Sequence, residues 1–496
     1  MSMKREFLLE AFCGQTRLAV LEDGALSELY YERPGEEKLS GNLYLGRVQN
    51  ILPGMNAAFV DIGQEKNAFL YAGDIPVDPR EANELADRMK DARIEKMIRP
   101  GQELLVQVVK EPGGTKGCRI SSHVTVPGRM TVLLPTVSYA GVSKKITDSA
   151  ERERLHAIAE KLIGDGGMGV IVRTAAEGAS AEALAEDYRA AVELWRQIEN
   201  RARHAAAPKL IHSDGSLALQ VVRDMLDERT DAVRVDGRAL FQEVLAHARA
   251  LTPRLADRVV EYTGERPLFD VHGVDTALSK AMAHRVWLRS GGTLVIDETE
   301  ALTVIDVNTG KFVGRKSFDE TVYRLNCEAA VQIARLLRLR DVGGIVVIDF
   351  IDMDSQTQRD GLLQILREAT QADRNRTNVV GFTSLGLVEM TRKKVRRPLS
   401  KQLGHVCPAC QGAGIVDSYE NIAYAAAREL WARGRAAPGC KLLVETSAPV
   451  AGWLRTVGKP ENVSAWVAVS EMAEGEAYRI APADCAALPA GARELK

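Results

Sequence analysis

Apolar and polar residues alternate with the period of β-strands over the first part of the chain. Between Arg5 and Arg33 three short runs, REFLLEAF, TRLAVLED and LSELYYER, read as strands, with Asp23-Gly24 as a hairpin turn between two of them. This piece is too small to fold alone, so it is expected to join a sheet completed later in the chain. Residues 39–125 hold five more strand runs: NLYLGRVQNIL, NAAFVDIG, KNAFLYAGDI, ELLVQVVKE and KGCRISSH. Gly and Pro punctuate them, which predicts an independent all-β module of OB type. The charged stretch PREANELADRMKDARIEKMI between the third and fourth runs reads as an inserted, solvated helix.

The period then lengthens. After a strand in GMGVIVRTAAEG, a helix begins near Ser180 with Leu184, Tyr188, Ala191, Trp195 and Ile198 at helical spacing, the signature of core packing. Residues 215–285 mix helices with the short strand AVRVD and run through GERPLFDVHGVD into another helix. This α/β piece is the expected partner of the N-terminal strands. From Thr293 a hairpin, TLVIDETEALTVIDVNTG, leads into the helical segment FDETVYRLNCEAAVQIARLLRLRD and the apolar run GGIVVIDFIDMD. A helix, QRDGLLQILREATQADRNR, follows. The last 80 or so residues predict a helix around ENIAYAAARELWARG and strands KLLVET and AWVAVS, a small α/β domain with no evident chemistry.

The stretch from Thr293 to Asp352 carries the candidate chemistry. Each of its apolar runs ends on a carboxylate, Asp306 in TVIDVN and Asp349 in IVVIDF. Strand side chains alternate, so Asp306 and Asn308 share a face. The helix between is long enough for a crossover that brings the second strand beside the first. Two carboxylates and an amide oxygen at one sheet edge suit Mg²⁺, a hard cation that takes oxygen ligands. The plainer reading makes each Asp a cap or turn residue. A nucleotidase reading lacks its phosphate loop, because the nearest candidate, NTGKFVG, has Ile305 where the first Gly belongs and Phe312 where Ser or Thr belongs.

Length and composition narrow the field. A chain of 496 residues suggests about three or four domains. The formal net charge is −2, so any nucleic-acid surface must be local. No signal peptide and no membrane-length apolar run is present, and seven mostly isolated cysteines do not form a disulfide framework. A cytoplasmic protein is expected. On the β-module, Phe59 and Phe69 could stack on bases and Lys110 and Lys116 could hold phosphate, or the rings could be core. Arg173 and Thr174 end a strand before a Gly-containing turn, where an Arg fork suits a terminal phosphate, although a solvated Arg is the simpler reading. The basic run TRKKVRRP (392–398) could contact phosphate or be a solvated face. In HVCPACQGAG, Cys407 and Cys410 make half a tetrahedral zinc site, and no second C-x-x-C exists in the chain. A redox pair is the alternative, but the Gly-rich setting argues against it, and a zinc ion shared across a two-fold axis with a second copy is preferred. His405 is a further candidate ligand.

Taken together, GRVQNILPGMNAAFVDIG, TKG, VIVRTAAEG, SGGTLVIDETEALTVIDVNTG, LRLRDVGGIVVIDFIDMD, GLVEMTRKK and CPACQGAG occur in an order that closely resembles the ribonuclease E/G family over roughly residues 40–415. The resemblance implies a multidomain α/β architecture with an inserted S1 (OB-fold) RNA-binding domain. An RNase H-like domain would be split between 1–38 and 215–280, around the S1 domain at 39–125 and a 5′-sensor domain at 126–214. A DNase I-like catalytic domain would occupy 281–400, a zinc link 401–415 and a small domain 416–496. It implies Mg²⁺ ligands at Asp306 and Asp349 with Asn308 supporting them. RNA contacts would fall at Phe59, Phe69 and Lys116, a 5′-monophosphate sensor at Arg173 and Thr174, and a Zn²⁺ link between subunits at Cys407 and Cys410. The implied activity is Mg²⁺-dependent endonucleolytic cleavage of single-stranded, A/U-rich RNA, leaving 5′-phosphate and 3′-hydroxyl ends, in rRNA processing and mRNA turnover. The implied assembly is a homodimer or higher oligomer without the long scaffold tail of the family's larger members. A non-catalytic S1-type RNA-binding protein is the rival, and a DNA nuclease a lesser one.

Overall fold

The structure is a computed structural model that describes residues 4–34, 39–76, 93–112, 117–164, 167–310, 318–461, 463–471, 477–484 and 488–496. The chain divides into two compact units, Met1–Ser400 and Lys401–Lys496.

In the first unit the N-terminal strands Arg5–Phe12, Gln15–Glu22 and Ala25–Glu32 form an antiparallel meander. Arg5–Phe12 also pairs in parallel with Thr230–Asp236, which pairs with Val259–Tyr262. Two strands some 200 residues apart therefore complete one five-stranded sheet. Both faces of it are covered, which explains why FLL runs on without polar breaks. Phe7, Leu9, Leu18 and Val20 pack with the helix Arg238–Leu251 side of the core, whereas Leu8, Ala19 and Leu21 join the core that also holds Ile305 and Ile348. A buried ion cluster ties these layers: Arg338, on the helix Phe318–Leu339, bonds Glu22 at 2.8 and 2.9 Å and Glu28 at 2.6 Å. Burial opposes ionisation of Glu28, but Arg374, Arg338 and the Tyr30 hydroxyl outweigh it and hold the carboxyl at about 2.

The insertion carries two further sheets. Strands Leu43–Leu52, Ala57–Asp61, Ala68–Tyr71, Arg119–Ser121 and Glu103–Lys110 close into a barrel through pairing of the first with the last. The five runs read from the sequence are these strands, and Lys209–His212 adds a sixth beside Leu43–Leu45, beyond the expected boundary of the module. The barrel interior holds Val60, Leu70, Val106 and Cys118, whose thiol is pushed up to about 11 by burial. Most of the inserted helix expected at residues 79–98 lies outside the described residues; Ile94–Met97 is helical. The second inserted sheet contains Gly169–Val172, and against it lies the helix Ala181–Arg203. Ser180 Oγ caps that helix by accepting from the Ala183 amide, and its buried stripe is Leu184, Tyr188, Ala191, Trp195 and Ile198.

The last sheet of the first unit runs Arg285–Trp287, Thr293–Glu298, Leu302–Asn308, Gly344–Asp349, Val388–Arg392, Thr377–Phe382. Helices Phe318–Leu339 and Gln356–Thr370 belong to its core, which includes Ile305, Val307, Val346 and Ile348. The opposite face carries Val304, Asp306, Asn308, Ile345 and Asp349. The second unit holds a four-stranded sheet and the helices Tyr419–Ala436 and Ala448–Val457 around a small core of its own. Among the described residues, no helix is long and apolar enough to cross a membrane.

Candidate active site

Strands Leu302–Asn308 and Gly344–Asp349 are parallel neighbours, and Asp306 stands directly opposite Asp349. Residues paired in this way project from the same face, about 4.8 Å apart at the backbone. The crossover helix makes this possible, because a parallel pair cannot be joined by a tight turn. Asn308 donates from Nδ2 to Asp306 Oδ2 at 2.6 Å, so the expected triplet does gather on one face. Partial burial, then the neighbouring Asp306 and Asp352 carboxylates, push the Asp349 carboxyl above its usual range. Anionic crowding of this kind is relieved by a cation. Among the described residues, no three His, Cys, Asp or Glu side chains come together as a metal cage. The set is two carboxylates and an amide on an open face, with Asp352 near, which fits Mg²⁺, an ion that keeps most of its water.

Two devices outside the expected residues hold this geometry. Asn326, fully buried on the crossover helix, donates from Nδ2 to the Ile351 carbonyl at 2.8 Å and accepts from the Ile351 amide at 3.2 Å. It thereby pins the segment between Asp349 and Asp352. The turn after Asn308 packs on the Ser290-Gly291-Gly292 turn, where a Cβ on Gly310 would lie 2.4 Å from the Gly291 carbonyl oxygen. Gly310 also has φ of +57°, so glycine is required twice over. Asp352 and Asn326 escaped the sequence reading; a lone polar residue on an apolar helix stripe was the available signal for Asn326.

On the barrel, Phe59, Phe69 and Arg119 stand in one cross-strand row, and Lys110 is opposite Arg119. Phe59 and Phe69 meet edge to face with centroids 5.6 Å apart, and neither belongs to the barrel's interior cluster. The core reading of these rings is thus set aside. Tyr71, two residues beyond Phe69 on the same face, extends the platform at 4.5 Å, and the Arg119 guanidinium lies 4.8 Å from its ring centre. Arg119 is in turn fixed by Asp74 at 2.7 Å. Tyr71 and Arg119 were missed; the i, i+2 spacing of Phe69 and Tyr71 was the available signal for Tyr71, whereas only the strand pairing brings Arg119 to them. Lys116 lies outside the described residues.

Arg173 is not a solvated strand-end residue. Its guanidinium donates to the Gly128 carbonyl at 2.6 Å and to Asp224 at 2.7 Å, while Thr174 is exposed at the start of a short turn. Asp187 accepts from the amides of Arg129, Met130 and Thr131 and from the Thr131 hydroxyl, which fixes the loop facing Arg173. An anion bound there would share Arg173 with Asp224.

The basic run divides. Arg392 is buried, bonded to Asp373 at 2.6 Å, to Asp341 at 3.1 Å and to the Val342 carbonyl at 2.8 Å. Arg396 pairs with Asp341 at 2.7 Å and lies over the Tyr30 ring at 4.0 Å. These two therefore hold the fold together rather than contacting phosphate, because their donors are taken by buried acceptors. Lys393 and Lys394 are exposed.

In the second unit, Gln411, Gly412 and Gly414 adopt positive φ, and the loop curls so that the Gly414 and Gly412 amides, then the Cys407 side chain, draw the Cys410 thiol below its usual value. Amide-cradled thiolates are what zinc binds. His405 is exposed, and among the described residues no third ligand joins the pair.

The family model described as Ribonuclease E/G family matches residues 125–395. Ribonuclease G of Haemophilus influenzae is 43% identical over 430 residues, 86% of this chain and 87% of that protein. Ribonuclease G of Escherichia coli (strain K12) is 40% identical over 454 residues, 91% of this chain and 93% of that protein. Ribonuclease E of the same strain is 36% identical over 422 residues, covering 85% of this chain and 40% of its own length. The chain belongs to the ribonuclease E/G family.

Proposed function

We propose that this protein is a metal-dependent endoribonuclease acting on single-stranded, A/U-rich RNA. The observation that carries the proposal is the in-register pair Asp306–Asp349 on an open sheet face, with the Asp349 carboxyl raised by partial burial and then by its anionic neighbours. Asp306 and Asp349 would hold Mg²⁺, and Asn308 orients Asp306 through its side-chain bond. When bound, the ion supplies a water of lowered pKa and positive charge beside the phosphoryl oxygens. Asn326 keeps Asp349 in place, so the scissile phosphodiester meets a fixed acidic edge. Hydrolysis there leaves 5′-phosphate and 3′-hydroxyl ends. The Phe59–Phe69–Tyr71 platform with Lys110 and Arg119 would stack and neutralise the strand, and Arg173 with Thr174 would favour a 5′-monophosphate terminus. Cys407 and Cys410 would share Zn²⁺ with the same pair of a second copy, giving a homodimer.

The test is cleavage of one A/U-rich oligoribonucleotide bearing a 5′-monophosphate or a 5′-hydroxyl, with Mg²⁺ or with chelator. Mg²⁺-dependent cutting, faster with the monophosphate and equalised by Arg173→Ala, is expected. Tight binding without cutting would favour a non-catalytic RNA-binding protein, and cutting with no end preference would remove the sensor.

A further inference from the structure

The edge strand of the catalytic sheet carries a feature that the metal site does not use. Along Arg285–Trp287 and into Leu288, burial alternates: Val286 and Leu288 are 6% exposed, whereas Arg285 is exposed and Trp287 is 58% exposed. Trp287 is paired with Thr293, which is paired with Asn308, and Arg285 is paired with Val295, which is paired with Asp306. Both outward residues therefore stand on the face of the two carboxylates, in the rows of Asn308 and of Asp306 and Asp349. Two strand spacings separate Trp287 from Asn308, about 10 Å at the backbone.

This edge is held rigidly to the metal-binding turn. The Leu288 amide donates to the Gly292 carbonyl at 2.8 Å, and Glu328 accepts from the Arg289 amide at 2.7 Å. A Cβ on Gly292 would lie 3.0 Å from the Asn308 carbonyl oxygen, and one on Gly310 would strike Gly291. The strand backbone that carries Trp287 is thus tied to the turn that carries Asn308. Yet among the described residues no ring, cation or hydrogen-bond acceptor engages its indole. A large, unpartnered aromatic on a braced strand beside an acidic edge, with a guanidinium one position along, suits a stacked base and its phosphate.

We infer that Trp287 stacks on an RNA base flanking the cleaved bond, with Arg285 beside the neighbouring phosphate, so that the edge strand sets the register of the substrate over Asp306 and Asp349. The inference rests on the ribonuclease reading above.

The experiment measures single-turnover cleavage by the full chain, Trp287→Ala and Trp287→Phe. Each acts on an A/U-rich RNA and on versions with one abasic nucleotide stepped across the cut. Stacking on one base is worth roughly a 5- to 100-fold change. Trp287→Ala should lose cleavage by about that factor, and Trp287→Phe should keep most of it. One abasic position should reproduce the loss in the parent protein and cause no further loss in Trp287→Ala. Wild-type rates in Trp287→Ala, or losses that multiply at every abasic position, would overturn the contact. A parallel binding arm compares RNA quenching of tryptophan fluorescence in the parent protein and Trp287→Phe. Quenching that depends on Trp287 without any cutting would keep the contact and remove the ribonuclease reading. Cutting with neither a quench nor a rate effect from Trp287 would do the reverse.

Discussion

Replacing Asp349 with asparagine should make the metal-free protein more stable, and should abolish its stabilisation by Mg²⁺. Asp306 and Asp349 are paired across adjacent parallel strands, so their charges stand about 5 Å apart. Two like charges at that distance repel by about 0.8 kcal/mol at the dielectric of water, and several-fold more in a buried setting. Asp349 is exposed, so the lower figure applies, about 1 kcal/mol or less once salt screens it. The sign follows from the raised Asp349 carboxyl. A carboxyl whose pKa is raised by folding contributes stability below its unfolded pKa, and loses that contribution as pH rises through the folded value. At neutral pH the native protein therefore carries a penalty that the asparagine variant lacks. At ten times its dissociation constant, Mg²⁺ would add about 1.4 kcal/mol to the parent protein and nothing to the variant. The order of stability inverts with the metal. Thermal unfolding of both chains at low ionic strength, with chelator and then with Mg²⁺, reads it directly. An Asp349→Asn chain that is less stable in chelator, or that still gains from Mg²⁺, would refute the reasoning.

Further outcomes follow from the other groups. Arg392→Ala strands the buried Asp373 carboxylate and leaves Asp341 with Arg396 alone, and should cost about 3–5 kcal/mol in urea unfolding; a change under about 1 kcal/mol would return Arg392 to the surface. Phe69→Ala breaks the middle of the aromatic platform and should weaken RNA binding by roughly 5- to 100-fold while leaving the Mg²⁺-dependent unfolding shift intact. Unchanged affinity in a fluorescence-anisotropy titration would place the RNA elsewhere. Cys407→Ser removes one of two thiolates and should yield monomers in sedimentation, as should zinc chelation; a persistent dimer would argue against a shared ion.

Local periodicity made much of this architecture legible. The alternation in TVIDVN and IVVIDF placed Asp306, Asn308 and Asp349 on one face, and the intervening helical stretch implied the parallel crossover that joins them. Ser180 and the stripe from Leu184 to Ile198 were readable for the same reason, since a cap and a 3.6-residue period are local properties. What escaped depends on residues far apart in the chain. Arg392 looks like its exposed neighbours in TRKKVRRP until Asp341 and Asp373 are brought to it. Lys209–His212 pairs with Leu43–Leu45, at the far end of the insertion in sequence. Asn326 reads as an isolated polar residue, and only the fold sets it against Ile351. For Arg173 and Thr174 the local pattern left a solvated Arg as the simpler reading and only the resemblance favoured a phosphate role, while the ion pair with Asp224 is a property of the folded pocket alone.

The most direct test of the central claim uses one A/U-rich RNA, the parent chain and Asp349→Asn, following binding by anisotropy and cutting by product length across a Mg²⁺ titration. The account predicts that both chains bind the RNA with similar affinity, and that only the parent cuts it, in proportion to Mg²⁺ occupancy. Turnover by Asp349→Asn at a rate near that of the parent would remove Asp349 from the metal site and contradict the account.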